Sequence, residues 1–117
     1  TTWPSFDLAL LGLGEDGHVA SLFPSHQDPA EAERPTLPVR AAYQGRPAER
    51  VTLTPLVLNA ARHVIFLVVG ADKAPALAAS LGGARDPVRW PAQRIRPEAG
   101  HVIWMADRAA ARLAEQI

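Results

Sequence analysis

The chain has 117 residues, 48% hydrophobic and 21% charged, which is the size and makeup of one globular domain and excludes a disordered or fibrous protein. Twelve basic residues balance twelve acidic ones, so no net charge draws the chain to nucleic acid or to an acidic membrane surface. There is no cysteine, which removes disulfides, thiolate nucleophiles and cysteine-bound zinc, and no apolar run nears the roughly 20 residues that span a bilayer.

In chain order, the opening TTWPSFD lacks the basic end and apolar stretch of a signal peptide, and a cytoplasmic location is expected. Phe6 to Leu11 is a short apolar run stopped by Gly12, which predicts a strand buried on both faces of a parallel sheet. His18 to Phe23 predicts a short helix closed by Pro24. Residues 24–49 are dense in proline and charge and predict a surface excursion with one short strand near Leu37 to Ala41. Val51 to Leu53 predicts a strand, followed by a helix capped by Thr54, opened by Pro55 and running to Arg62. Val64 to Val69 is the clearest buried strand, ended by Gly70. Asp72 is expected to cap a helix that runs to about Leu81 and stops at Gly82-Gly83. Val102 to Met105 predicts a last strand, and Asp107 caps an alanine-rich terminal helix, RAAARLAEQ.

Strands alternating with helices imply an α/β fold, a Rossmann-like parallel sheet with helices on both faces (three layers, α/β/α) and residues 1–117 as a single domain. Ligands of such sheets gather beyond the carboxyl ends of the strands, where the turns at 12–17 and 70–73 both fall.

Gly12, Gly14 and Gly17 have the G-x-G-x-x-G spacing of a dinucleotide fingerprint. That reading needs an acidic residue at the end of a second strand about 20 positions on, and the stretch found there, QDPAEAERPTLP, makes no buried strand. The glycines do suit close approach of backbone N–H groups to an anion at a helix start. His18, placed in the first turn of that helix, is expected to have its pKa lowered by the helix dipole and to serve as a neutral general base. Asp16 caps the helix, or orients His18 or a substrate. His26, His63 and His101 are too scattered to nominate a metal site, and no metal is expected. Lys73, the only lysine among twelve basic residues, stands out by its rarity.

The string DLALLGLGEDGHVASLFP, Asp7 to Pro24, resembles the signature of the 6-phosphogluconolactonases. The likeness continues in Arg50-Val51-Thr52-Leu53-Thr54, in Val68 to Ala74, in Pro91-Ala92-Gln93 and in Trp104-Met105-Ala106-Asp107. Hexosamine-6-phosphate deaminases share the G-x-G-x-D-G-H core, whereas Ser21-Leu22-Phe23-Pro24 is the lactonase version. The resemblance implies hydrolysis of 6-phosphoglucono-δ-lactone in the oxidative pentose phosphate pathway, with neither metal nor organic cofactor. It implies His18 as the base that takes a proton from water and returns it to the ring oxygen. It also implies Arg50 and Lys73 near the phosphate or sugar hydroxyls, with the glycine turn beside the substrate; backbone donors there would suit an oxyanion.

The match begins where the second half of a lactonase would begin, without the family's N-terminal βα units and phosphate loop. A sheet edge and an apolar patch are therefore expected to lie uncovered unless a second chain or a missing half covers them. Two alternatives stay open: a noncatalytic sugar-phosphate-binding or assembly module, and a hexosamine-6-phosphate deaminase or isomerase.

Overall fold

The computed structural model describes residues 3–41 and 45–114. Three parallel strands form the sheet, β1 (Leu8–Leu11), β4 (His63–Val68) and β5 (His101–Ala106), in the order β1-β4-β5. The register aligns Leu10 with Ile65 and Ile65 with Ile103, and it places the carboxyl ends of β1 and β4 side by side. Val64, Phe66 and Val68 point into the core with the half-buried Leu11, Val102 and Trp104, and the rings of Phe66 and Trp104 stack at 3.9 Å. Three helices supply the other side of that core: α1 (Pro55–Leu58) through Leu58, α2 (Ala74–Gly82) through Ala76 and Leu77, and α3 (Arg108–Ala111) through Ala110.

This is the α/β architecture with a parallel sheet that the strand and helix alternation implied, but among the described residues the helices pack on one face. The opposite face presents Leu8, Leu10, Ile65, Leu67, Ile103 and Met105, with Leu10 59% and Met105 50% exposed. The prediction that β1 is buried on both faces is therefore corrected: it is an edge strand with one open apolar face, because nothing among the described residues covers it. The uncovered edge and patch are those anticipated from the sequence.

Other departures have local causes. The strand ending at Leu53 does not join the parallel sheet. As β3 (Glu49–Leu53) it pairs antiparallel with β2 (Thr36–Arg40) in a separate two-stranded ribbon. Val19 to Leu22 is a tight reverse turn rather than a helix. Val19 and Leu22 exchange backbone hydrogen bonds, Ala20 takes a φ of +52°, and the Thr52 hydroxyl accepts the Ser21 N–H. The Thr54 hydroxyl donates to the Arg34 carbonyl at 2.6 Å and so does not cap α1, which is four residues long and ends at Leu58 rather than at Arg62. Asp72 lies inside a 3-10 turn, Ala71–Lys73, and caps nothing. Asp107 does cap α3, accepting from the Ala110 N–H at 2.9 Å; the end of the predicted terminal helix, 115–116, lies outside the described residues. Among the described residues no helix is long and apolar enough to cross a membrane.

Candidate active site

The loop after β1 closes on itself around His18. The Gly17 N–H donates to the Gly14 carbonyl and the Gly14 N–H to the His18 carbonyl, both at 2.9 Å. These two N–H groups therefore hold the loop and do not face an anion, which corrects the donor role expected of them. Gly14 is buried under the His18 imidazole and the Asp16 carboxylate: a Cβ there would run into the His18 ring and come within 2.8 Å of Asp16 Oδ1. Gly17 has a φ of +93°, open to glycine at little cost, and its α-carbon is packed against the Trp90 ring.

The geometry this loop imposes is a histidine–carboxylate pair. Asp16 Oδ1 accepts the His18 backbone N–H at 3.0 Å and lies 2.6 Å from His18 Nδ1. A carboxylate has only acceptors, so the proton sits on Nδ1, and in the neutral ring Nε2 is left as the basic atom. Asp16 is thus an orienter of the imidazole and not a helix cap. No helix follows His18, so the helix start expected there is not formed. The Phe23 ring packs 5.1 Å from the imidazole, and the Arg50 guanidinium lies over Phe23 at 5.7 Å.

The loop opens onto a cavity of about 610 Å³ lined by Gly12, Gly14, Asp16, His18, Arg46 and Lys73, among others. Lys73 reaches it from the turn after β4, where its ammonium donates to the Leu13 carbonyl at 2.7 Å. Glu15 shares this wall with Lys73. Its carboxyl is held above the usual range by a hydrogen bond and charge repulsion from Asp72, whose own carboxyl is held correspondingly low. Gly17 and Arg50 are not among the lining residues: Gly17 faces Trp90, and the Arg50 Nε donates to the Pro47 carbonyl. Arg46 was missed by the sequence reading because it lies in a stretch read only as surface excursion. Among the described residues no three metal-ligating side chains are grouped.

A larger cavity, of about 820 Å³, lies beside α1 and carries the buried Arg94. Its chemistry is already satisfied: the Arg94 guanidinium meets both oxygens of buried Glu31 at 3.1 Å and donates to the carbonyls of Phe23, His26, Pro87 and Val88.

Comparison with known proteins gives the family. Residues 1–104 match the family described as glucosamine-6-phosphate isomerases/6-phosphogluconolactonase, and the chain belongs to that family. It is 44% identical over 112 residues to 6-phosphogluconolactonase of Rattus norvegicus and 45% identical over 111 residues to that of Homo sapiens. These alignments cover 96% and 94% of the chain and 42% of each relative, so the chain spans less than half the length of the proteins it matches. The solved 6-phosphogluconolactonase of Trypanosoma brucei superimposes with a TM-score of 0.77 at 35% identity, over 93% of this chain and 42% of that one.

Proposed function

We propose that the chain carries the catalytic loop of a lactonase that hydrolyses 6-phosphoglucono-δ-lactone to 6-phosphogluconate. The observation that carries this reading is the 2.6 Å contact between His18 Nδ1 and Asp16 Oδ1 at the edge of a cavity that also holds Lys73. With Nδ1 committed to Asp16, Nε2 takes a proton from water as the water oxygen attacks the lactone carbonyl carbon. The tetrahedral intermediate collapses with cleavage of the bond to the ring oxygen. The imidazolium returns the proton to that oxygen, giving the open-chain acid, which then ionises. Asp16 stabilises the imidazolium formed between the two steps. Lys73 and Arg46 supply positive charge for the phosphate or the sugar hydroxyls. Arg50 acts from behind by holding Phe23 beside the imidazole, and Gly12, Gly14 and Gly17 give the loop its shape. The chemistry needs neither metal nor organic cofactor.

The open sheet face calls for a cover, and its row of Leu10, Ile65 and Ile103 suits an apolar one. Further polypeptide, corresponding to the part of the relatives that this chain does not span, fits that role and would complete the substrate site. On this reading the isolated 117 residues are expected to turn over lactone weakly or not at all. The absence of cysteine suits a reducing cytoplasm.

The test is lactone hydrolysis by the protein containing this chain, with His18→Ala and Asp16→Asn. His18→Ala should abolish turnover above the spontaneous rate. Asp16→Asn, which reverses the tautomer preference, should lower kcat by about 10²- to 10⁴-fold with KM little changed. Ammonia release from glucosamine 6-phosphate would replace the lactonase reading with a deaminase one. Binding of 6-phosphogluconate without turnover would favour a noncatalytic binding module.

A further inference from the structure

Behind the loop that carries His18 lies a segment, 86–94, that the catalytic reading does not use, and it touches the loop at two points. At the first, the Trp90 ring fills the space beside Gly17: a Cβ there would come within 2.7 Å of Trp90 Cε3. At the second, Arg89 Nη1 donates to the Asp16 backbone carbonyl at 3.2 Å, while its guanidinium carbon lies over the Trp90 ring, 4.0 Å from the centroid. Arginine and tryptophan thus form one cation–π unit, packed against one residue of the loop and hydrogen-bonded to its neighbour.

The rear of this segment is fixed. The Trp90 N–H donates to the Asp86 carbonyl at 2.8 Å, and the Arg89 N–H to the Asp86 carboxylate at 3.2 Å. The Val88 carbonyl accepts the Ser25 N–H, and buried Arg94 holds the Pro87 and Val88 carbonyls from below. Arg94 is in turn paired with Glu31 in the protein interior. A continuous set of contacts therefore runs from a buried ion pair, through Pro87 and Val88, to Trp90 and Arg89, and then to Gly17 and Asp16. Asp16 holds both the backbone N–H and the ring of His18, so a shift of Asp16 moves the whole pair.

We infer that Trp90 and Arg89 are positioning residues for the His18–Asp16 pair: they clamp the Asp16-Gly17 peptide so that Asp16 stays within hydrogen-bond reach of His18 Nδ1. This rests on the reading of His18 as the general base. An imidazole held within a fraction of an ångström of its working position gains most of its rate from that placement, and a displacement of about 1 Å costs roughly 100-fold.

The test uses the protein containing this chain, labelled with ¹⁵N-histidine. The His18 Nδ1–H proton, donated to a carboxylate, should give a downfield NMR signal that disappears in Asp16→Asn. Trp90→Leu should lose or broaden that signal and lower kcat about 100-fold, with KM near the unaltered value. Arg89→Met should do the same to a smaller extent, and Trp90→Phe, which keeps a ring against Gly17, should restore the signal and most of the rate. Val57→Ala, which opens a cavity at a fully buried position of α1, serves as a control for simple loss of stability and should keep the signal. An unchanged signal in Trp90→Leu overturns the clamp, and so does equal loss of the signal in Val57→Ala at a matched fall in Tm. Absence of lactone turnover in the unaltered protein would count against the lactonase reading alone, since the NMR comparison still reports whether the clamp holds the pair.

Discussion

The ammonium of Lys73 donates a hydrogen bond to the carbonyl oxygen of Leu13, sixty positions earlier in the chain, at 2.7 Å. The bond exists because β1 and β4 are parallel neighbours whose carboxyl ends lie side by side. Lys73 therefore has two tasks, steadying the loop that begins at Gly12 and presenting charge to the cavity. Lys73→Met removes both. Hydrogen bonds to a charged group contribute about 1.5–3 kcal/mol, so kcat/KM for lactone hydrolysis should fall by roughly 10- to 100-fold or more. Steady-state kinetics checks this, and a variant with unchanged kcat/KM would place Lys73 outside the working site.

The ion pair between Arg94 and Glu31 should dominate the stability of the surrounding loops. Both side chains are almost completely buried, and Arg94 alone holds four backbone carbonyls. Removing one partner strands the other charge in the interior, which costs about 3–5 kcal/mol. Arg94→Met and Glu31→Gln are each expected to shift the urea midpoint strongly, Arg94→Met more so because it also leaves carbonyls unpaired. Replacing both residues by leucine should cost less than the sum of the single changes, a comparison that a double-mutant cycle measures directly.

Glu15 and Asp72 give the stability a small dependence on pH. Glu15 is raised from its ordinary value of 4.5, first by its hydrogen bond to Asp72 and then by repulsion from it; Asp72 is lowered from 3.8 by the same hydrogen bond. A raised carboxyl contributes stability below its unfolded value and loses it as pH rises through the folded value. A lowered one contributes above its unfolded value and loses it as pH falls. Both contributions are present between 3.8 and 4.5, and the Glu15 share is lost on the way to neutral pH. Glu15→Gln keeps a donor to Asp72 without the second charge. Its Tm should therefore rise relative to the unaltered protein as pH goes from that window to neutrality, by a small amount because both groups are exposed. Scanning calorimetry across this range checks it, and a difference independent of pH would mean that the two carboxyls share no proton.

The parallel strands were readable from sequence because apolar runs stopped by Gly12 and Gly70 admit few other structures. The contact of Asp16 with His18 was one of the alternatives open from sequence, but on a mistaken local structure. His18 was placed on a helix start, whereas Val19 and Leu22 pair across a turn and Ser21 is held by Thr52, a contact set by a strand thirty-one residues away. The antiparallel pairing of β3 with β2 was hidden because Val51 to Leu53 looks the same in either sheet. One local signal was overlooked: Asp28-Pro29-Ala30-Glu31 spells a capping box, and the structure forms it, with Asp28 accepting from Ala30 and Glu31 accepting from Asp28. The roles of Trp90, Arg89 and Arg94 had no local signature, since each depends on contacts more than sixty residues away in the chain.

The two-stranded ribbon has a consequence for how such a protein can change. Arg46 lies on the connection between β2 and β3, outside the parallel sheet, yet it lines the same cavity as His18. The His18–Asp16 pair is thus anchored to the sheet, while part of the cavity wall hangs on an appendage whose own pairing is self-contained. Insertions or charge reversals at that connection can reshape the cavity mouth without disturbing the strands beneath His18. On the proposed function, acceptance of new substrates is free to drift there while the His18–Asp16 pair stays fixed.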